Sequence, residues 1–139
     1  MDPENPVVKL CVEGMRAEGQ GRLGDAHDLF LRAWNEASDD WEACIAAHYL
    51  ARHQPTHAET LRWNDEALRR ALAVTDGRAR GFFPSLYLNL AASYEQEGAV
   101  KIARELYEAA LARMDEPGAP PTEAHVRASI ERGARRPIG

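Results

Sequence analysis

Apolar side chains recur at helical spacing along nearly the whole chain. Between residues 23 and 37, Ala26, Leu29, Phe30, Ala33, Trp34 and Ala37 stand at i, i+3, i+4, i+7, i+8 and i+11, the stripe of an amphipathic helix. A helix before it is predicted from Pro6 to about Gly19, opened by Asn5 as cap and Pro6 at the first helical position, where a missing N–H costs nothing. Leu10, Cys11, Gly14, Met15 and Ala17 supply its apolar and small positions, and Gln20-Gly21 breaks it. Asp39 followed three residues later by Glu42 predicts the start of a third helix, which runs to about His53 and is stopped by Gln54-Pro55, because the residue before proline avoids the helical region. Thr56 and Glu59 form a capping box for a fourth helix from His57 to about Val74, with Leu61, Ala67, Leu68, Ala71 and Leu72 turned inward and Asp76-Gly77 at its end. Residues 78–83 read either as loop or as an extra turn kinked at Pro84. Further helices are predicted over Ser85–Gln96, Val100–Met114 and, after the turn-rich segment from Glu116 to Pro121, Thr122 to about Arg132. Val126 and Ile130 share a face of the last helix, and Arg132, Arg135 and Arg136 suit the negative end of its dipole. With no alternating strand pattern, the chain is expected to be all-α and to form a single domain over 1–139.

The helices repeat. A shift of 77 residues places Leu10 on Tyr87, Gly14 on Ala91, Gly21 on Gly98, Ala26 on Ala103, Leu29 on Leu106, Phe30 on Tyr107 and Ala33 on Ala110. Size and role match at one offset: small residues where two helices cross, glycine in the turn, an aromatic three residues before a small residue. These positions, with Leu90 and Tyr94, resemble the tetratricopeptide repeat family, whose unit is a helix-turn-helix of about 34 residues. The resemblance covers about residues 7 to 115. It implies right-handed stacked helical hairpins, an α-solenoid with hairpins at about 6–37, 40–74 and 84–114 and a capping helix at about 122–133. The middle unit departs from the pattern, placing His48 opposite Thr60 unless a slip brings Ala46 or Ala47 there. A hydrogen bond between His48 and Thr60 is the expectation in the unshifted register.

In that family the first helix of each hairpin lines a concave groove that takes a peptide or helix of a partner. Here the groove would present Val8, Cys11, Met15 and Glu18 from the first helix. The third would add Glu42, Ile45, Tyr49, Arg52 and His53, and the fifth Ser85, Leu88, Ala92 and Glu95. The resemblance therefore implies a non-enzymatic interaction scaffold with Tyr49, Arg52, His53, Glu42, Met15 and Glu18 as partner-binding residues. Arg52 suits a carboxylate, because its planar fork of donors matches one. Family members that clamp a terminal carboxylate use lysines and asparagines where this chain has Cys11 and Met15, so that specificity is not expected.

The stretch from His48 to Asn64 concentrates chemically able side chains, and a small-ligand or catalytic pocket of His48, Arg52, Glu59 and Asn64 is the alternative reading. In the plainer one, Tyr49 packs in the core and Arg52 pairs with Glu42 or Glu59. His53 and His57 are four apart but separated by Pro55, so they do not share a helical face and no metal site is expected. No phosphate-binding glycine loop, GxSxG turn or activated Cys-His pair is present in the pattern, and no cofactor is expected.

A net charge of -5 opposes a phosphate-tracking surface, so nucleic acid is not an expected partner. No apolar run is long enough to cross a membrane, and the N-terminal MDPENPVV lacks the basic start of a secretory signal. Cys11 and Cys44 read as two reduced core thiols in a cytoplasmic protein. A homodimer formed through exposed stacking faces is a further possibility the repeat leaves open.

Overall fold

The computed structural model describes residues 2–138. Its described residues are all-α: seven α-helices, two short 3-10 turns and no strand. None of these helices is long and apolar enough to cross a membrane. The chain divides into two compact units, one ending at Val74 and the other beginning at Thr75.

The first unit holds α1 (Pro6–Gly19), α2 (Leu23–Glu36), α3 (Asp40–Leu50) and α4 (His57–Ala73). Asn5 caps α1 as expected, its side-chain oxygen accepting from the backbone N–H groups of Val7 and Val8 at 2.8 and 3.1 Å. Asp39 accepts from the N–H of Glu42 at 2.8 Å and Thr56 from that of Glu59 at 3.2 Å, so three of the four helix starts are built by side chains adjacent in sequence. Gly21 takes φ +74° in the turn between α1 and α2, a conformation open to glycine without penalty. α1 packs on α2, and α3 packs on α1, α2 and α4. That position explains why α3 is buried on every side: Ala43 through His48 and Leu50 are all inside.

Two sequence expectations are corrected in this unit. The third helix does not continue to His53; it ends at Leu50 and tightens into a 3-10 turn over Ala51–His53. Pro55 blocks continuation, and the Gln54 side chain donates to the Leu50 carbonyl at 2.9 Å, satisfying a group the helix end leaves open. Leu72 faces solvent, 52% exposed. Ala67, Leu68 and Ala71 alone carry the inner face of the last turns of α4. Trp34 of α2 meets Trp63 of α4 edge to face at 5.0 Å. Arg70 lies over the Trp34 ring at 5.3 Å and reaches Asp40 and Glu66, so it ties α4 to the start of α3 and to the side of α2.

The second unit holds α5 (Phe83–Gln96), α6 (Val100–Met114) and α7 (Ala124–Arg135), preceded by a 3-10 turn at Arg80–Phe82. Residues 78–83 thus contain an extra turn. Pro84 sits in the first turn of α5, where it removes no helical hydrogen bond, so the kink that an interior proline would impose does not arise. Gly98, at φ +82°, makes the turn from α5 to α6. Ala91 and Ala103 pack together with Tyr107, and Ala110 and Met114 close on Ile130 of α7. α7 begins two and ends about three residues later than the pattern predicts. Its end at Arg135 follows from Pro137, which keeps Arg136 out of the helical region.

Candidate functional site

The chain brings four of the expected partner-binding residues together at the C-terminal ends of α1 and α3. Glu18 lies in the last turn of α1; Tyr49 is near the end of α3, and Arg52 and His53 are in the 3-10 turn that follows. Arg52 Nη1 donates to Glu18 Oε1 at 3.0 Å. His53 Nε2 lies 2.6 Å from Glu18 Oε2. An ionised carboxylate only accepts, so Nε2 carries the proton. The Arg52 guanidinium also sits 4.8 Å from the centre of the Tyr49 ring, within cation–π range. Beneath them lies Phe30 of α2, fully buried, with Tyr49 stacked on it at 5.2 Å and His53 at 5.7 Å.

The cluster is ordered from within and open at one edge. The Arg52 side chain is 48% exposed, whereas those of Glu18 and His53 are 19% and 12% exposed. Burial pushes the Tyr49 phenol up, an effect the nearby Arg52 charge partly offsets. The expected surface thus reduces to Tyr49, Arg52, His53 and Glu18, with Met15 half-buried on α1.

The other expected groove positions lie inside. Cys11 and Ile45 have no exposed area, and Val8 and Glu42 are buried as well, because α3 packs directly on α1 and α2. Glu42 is a structural group. Its carboxylate accepts from the Asn5 side chain at 2.7 Å and from the Ser38 N–H and hydroxyl at 2.8 and 2.9 Å. It therefore joins the starts of α1 and α3, and its expected place at the margin of a groove is corrected. Arg52 pairs with Glu18 rather than with Glu42 or Glu59. Ser85, Leu88, Ala92 and Glu95 belong to α5 in the second unit.

The residues of the alternative pocket differ sharply in setting. His48 and Asn64 are buried, Glu59 is half-buried in the first turn of α4, and Arg52 is exposed with its charge answered by Glu18. Burial, with a smaller contribution from the Arg52 charge, pulls the His48 imidazole down to about 4, so it is neutral at physiological pH. Its ring meets Tyr49 edge to face at 5.0 Å. Cys11 and Cys44 are free thiols that burial pushes up to about 12, far from the thiolate a nucleophile requires. Among the described residues, no group of three or more His, Cys, Asp or Glu side chains is placed to hold a metal ion.

A second polar cluster, not foreseen from the sequence, occupies the corresponding place in the second unit. Tyr107 donates its hydroxyl proton to Glu95 at 2.5 Å, and Arg136 grips the same carboxylate through Nε at 2.7 Å and Nη2 at 2.9 Å. Arg136 Nη2 also donates to the Tyr107 hydroxyl at 3.0 Å. Although burial alone would raise the Glu95 carboxyl, the hydrogen bonds from Arg136 and Tyr107 outweigh it and hold it below the usual range. The 77-residue repeat carries the signal that could have revealed this site, since it maps Glu18 onto Glu95 and Phe30 onto Tyr107. Arg136 lies outside that repeat and enters only through the docking of α7.

Comparison of the chain with models of known protein families, with curated proteins and with solved structures finds no match.

Proposed function

We propose that the protein is a non-enzymatic interaction module of tetratricopeptide type, with three helical hairpins and α7 as the terminal cap. The first unit would bind a peptide or partner segment at Tyr49, Arg52 and His53, with Met15 and Glu18 beside them. One observation carries this reading: a half-exposed guanidinium is held in place from two sides, by Glu18 and by the Tyr49 ring. A guanidinium offers five donors, and Glu18 engages those of one nitrogen. Holding such a group before the partner arrives lowers the ordering cost of binding. The aromatic face beneath it supplies apolar area next to the polar contact, the combination enriched at interaction hot spots. A partner carboxylate or backbone carbonyl suits this donor set. The buried thiols and the neutral, buried His48 support the non-enzymatic side of the proposal.

The double variant Tyr49→Ala/Arg52→Ala tests it. Circular dichroism establishes that the variant is folded, and affinity capture from a cell extract with mass spectrometry compares what each form recovers. Partner recovery should fall by about ten-fold or more, as expected when a hot-spot pair is removed. Unchanged recovery by the folded variant would overturn the assigned site.

A further inference from the structure

α1 has a second surface, separate from the Tyr49–Arg52 cluster. A depression of about 450 Å³ runs along it, lined by Pro3, Val8, Lys9, Val12, Glu13 and Arg16. Val8, Val12 and Arg16 recur at four-residue spacing, and Lys9 and Glu13 form the adjoining row, so all five share one side of the helix. Val12 is 42% exposed, and Lys9, Glu13 and Arg16 are exposed as well. Glu4, just before the helix, is 83% exposed and lies 3.6 Å from Lys9.

The order of charge along this side decides what fits it. From Glu4 through Lys9 and Glu13 to Arg16, the signs alternate: negative, positive, negative, positive. Read from the other end, the same series begins positive, so every place meets its opposite. A second α1 running antiparallel, related by a two-fold axis at the level of residues 10 and 11, faces Glu4 with the partner's Arg16 and Lys9 with the partner's Glu13. Within the helix the Lys9–Glu13 pair aligns to within about one residue rise, ~1.5 Å, and symmetry forms each pair twice. Val12 of each copy then lies over the depression of the other, whose lining includes the buried Val8. A parallel arrangement would instead put like charges against each other, which is destabilising.

We infer that this side of α1 is a homodimer interface, its occupant the antiparallel α1 of a second copy of the chain. The inference stands independently of the partner-binding proposal, because it uses none of the same side chains. The apolar part is small, so association is weak and concentration-dependent.

Sedimentation velocity across a concentration series, at low salt, tests it. The mass should rise from 15.4 kDa toward twice that value. Lys9→Glu and Glu13→Lys, each on an exposed position, should each weaken association by about ten-fold, because reversal turns two attractive pairs repulsive. The double variant Lys9→Glu/Glu13→Lys restores opposite signs and should recover the dimer. A monomer at every concentration overturns the inference. A dimer indifferent to both reversals, or one the double variant fails to restore, equally overturns it by removing α1 from the interface.

Discussion

Gly14 is where one hydrogen in place of a methyl group decides the packing of the first unit. A Cβ there would fall 2.3 Å from the Phe30 ring, and Phe30 is fully enclosed, so the ring has no room to retreat. Gly14→Ala should lower stability by about 1–3 kcal/mol, the usual cost of overpacking a closed core, read as a lower urea midpoint with unchanged slope. Gly133 plays the same part for Tyr107, at 2.2 Å. His48 makes a second residue-level prediction. Its folded-state value near 4 lies below the ordinary 6.5, so between those two pH values the unfolded chain binds the proton and the folded chain does not. Stability from this group is complete above pH 6.5 and falls as pH drops toward 4, by on the order of 2–3 kcal/mol. Urea titrations at a series of pH values should show that slope, and His48→Gln should flatten it over the same window.

At the scale of the element, helix starts follow from neighbouring side chains. Asn5 has two tasks: it caps α1, and its amide donates to Glu42 at the start of α3. Asn5→Ala removes the cap and leaves a buried carboxylate short of one partner, so it should destabilise by about 1–2 kcal/mol, toward the upper end for a lost cap. Thr56→Ala, which loses only the cap of α4, should cost less in the same thermal or urea measurement. Most helix bounds were legible because a cap, a proline or a turn glycine acts within four residues of itself. The exceptions all involve something distant or a choice of position. α3 ends early because Pro55 blocks it and the Gln54 side chain satisfies the Leu50 carbonyl. α7 runs on to Arg135, where Arg136 reaches Glu95 and Tyr107. Pro84 removes no hydrogen bond from α5 because the helix starts one residue before it.

At the scale of the whole molecule, charge is divided unevenly. Up to Val74 the chain carries 13 acidic and 8 basic residues, and from Thr75 on nine of each. The entire net charge of -5 therefore belongs to the unit that holds both proposed interaction surfaces. Arg52 and the Lys9–Arg16 series are local exceptions within an acidic unit, which sharpens their contrast with the surroundings. Added salt should weaken both the α1 pairing and the Arg52 contact, because each rests on exposed charges within reach of screening. The two units share one device: a carboxylate near the end of a helix, Glu18 or Glu95, receives an arginine from a later segment that also lies over an aromatic ring, Tyr49 of α3 in one case and Tyr107 of α6 in the other.

The sequence by itself determined the all-helical character, most helix ends and the presence of Tyr49, Arg52, His53 and Glu18 as able side chains near helix ends. Periodicity and capping are local, so they are written where they act. Only the tertiary structure decided which of those groups meet. It buried Cys11 of α1 and Glu42 and Ile45 of α3 where those helices pack, turned Arg52 to Glu18, set Phe30 beneath Tyr49 and His53, and carried Arg136 to Glu95 across 41 residues. Such pairings depend on which faces of several helices exclude water together, and no single stretch of chain holds that information.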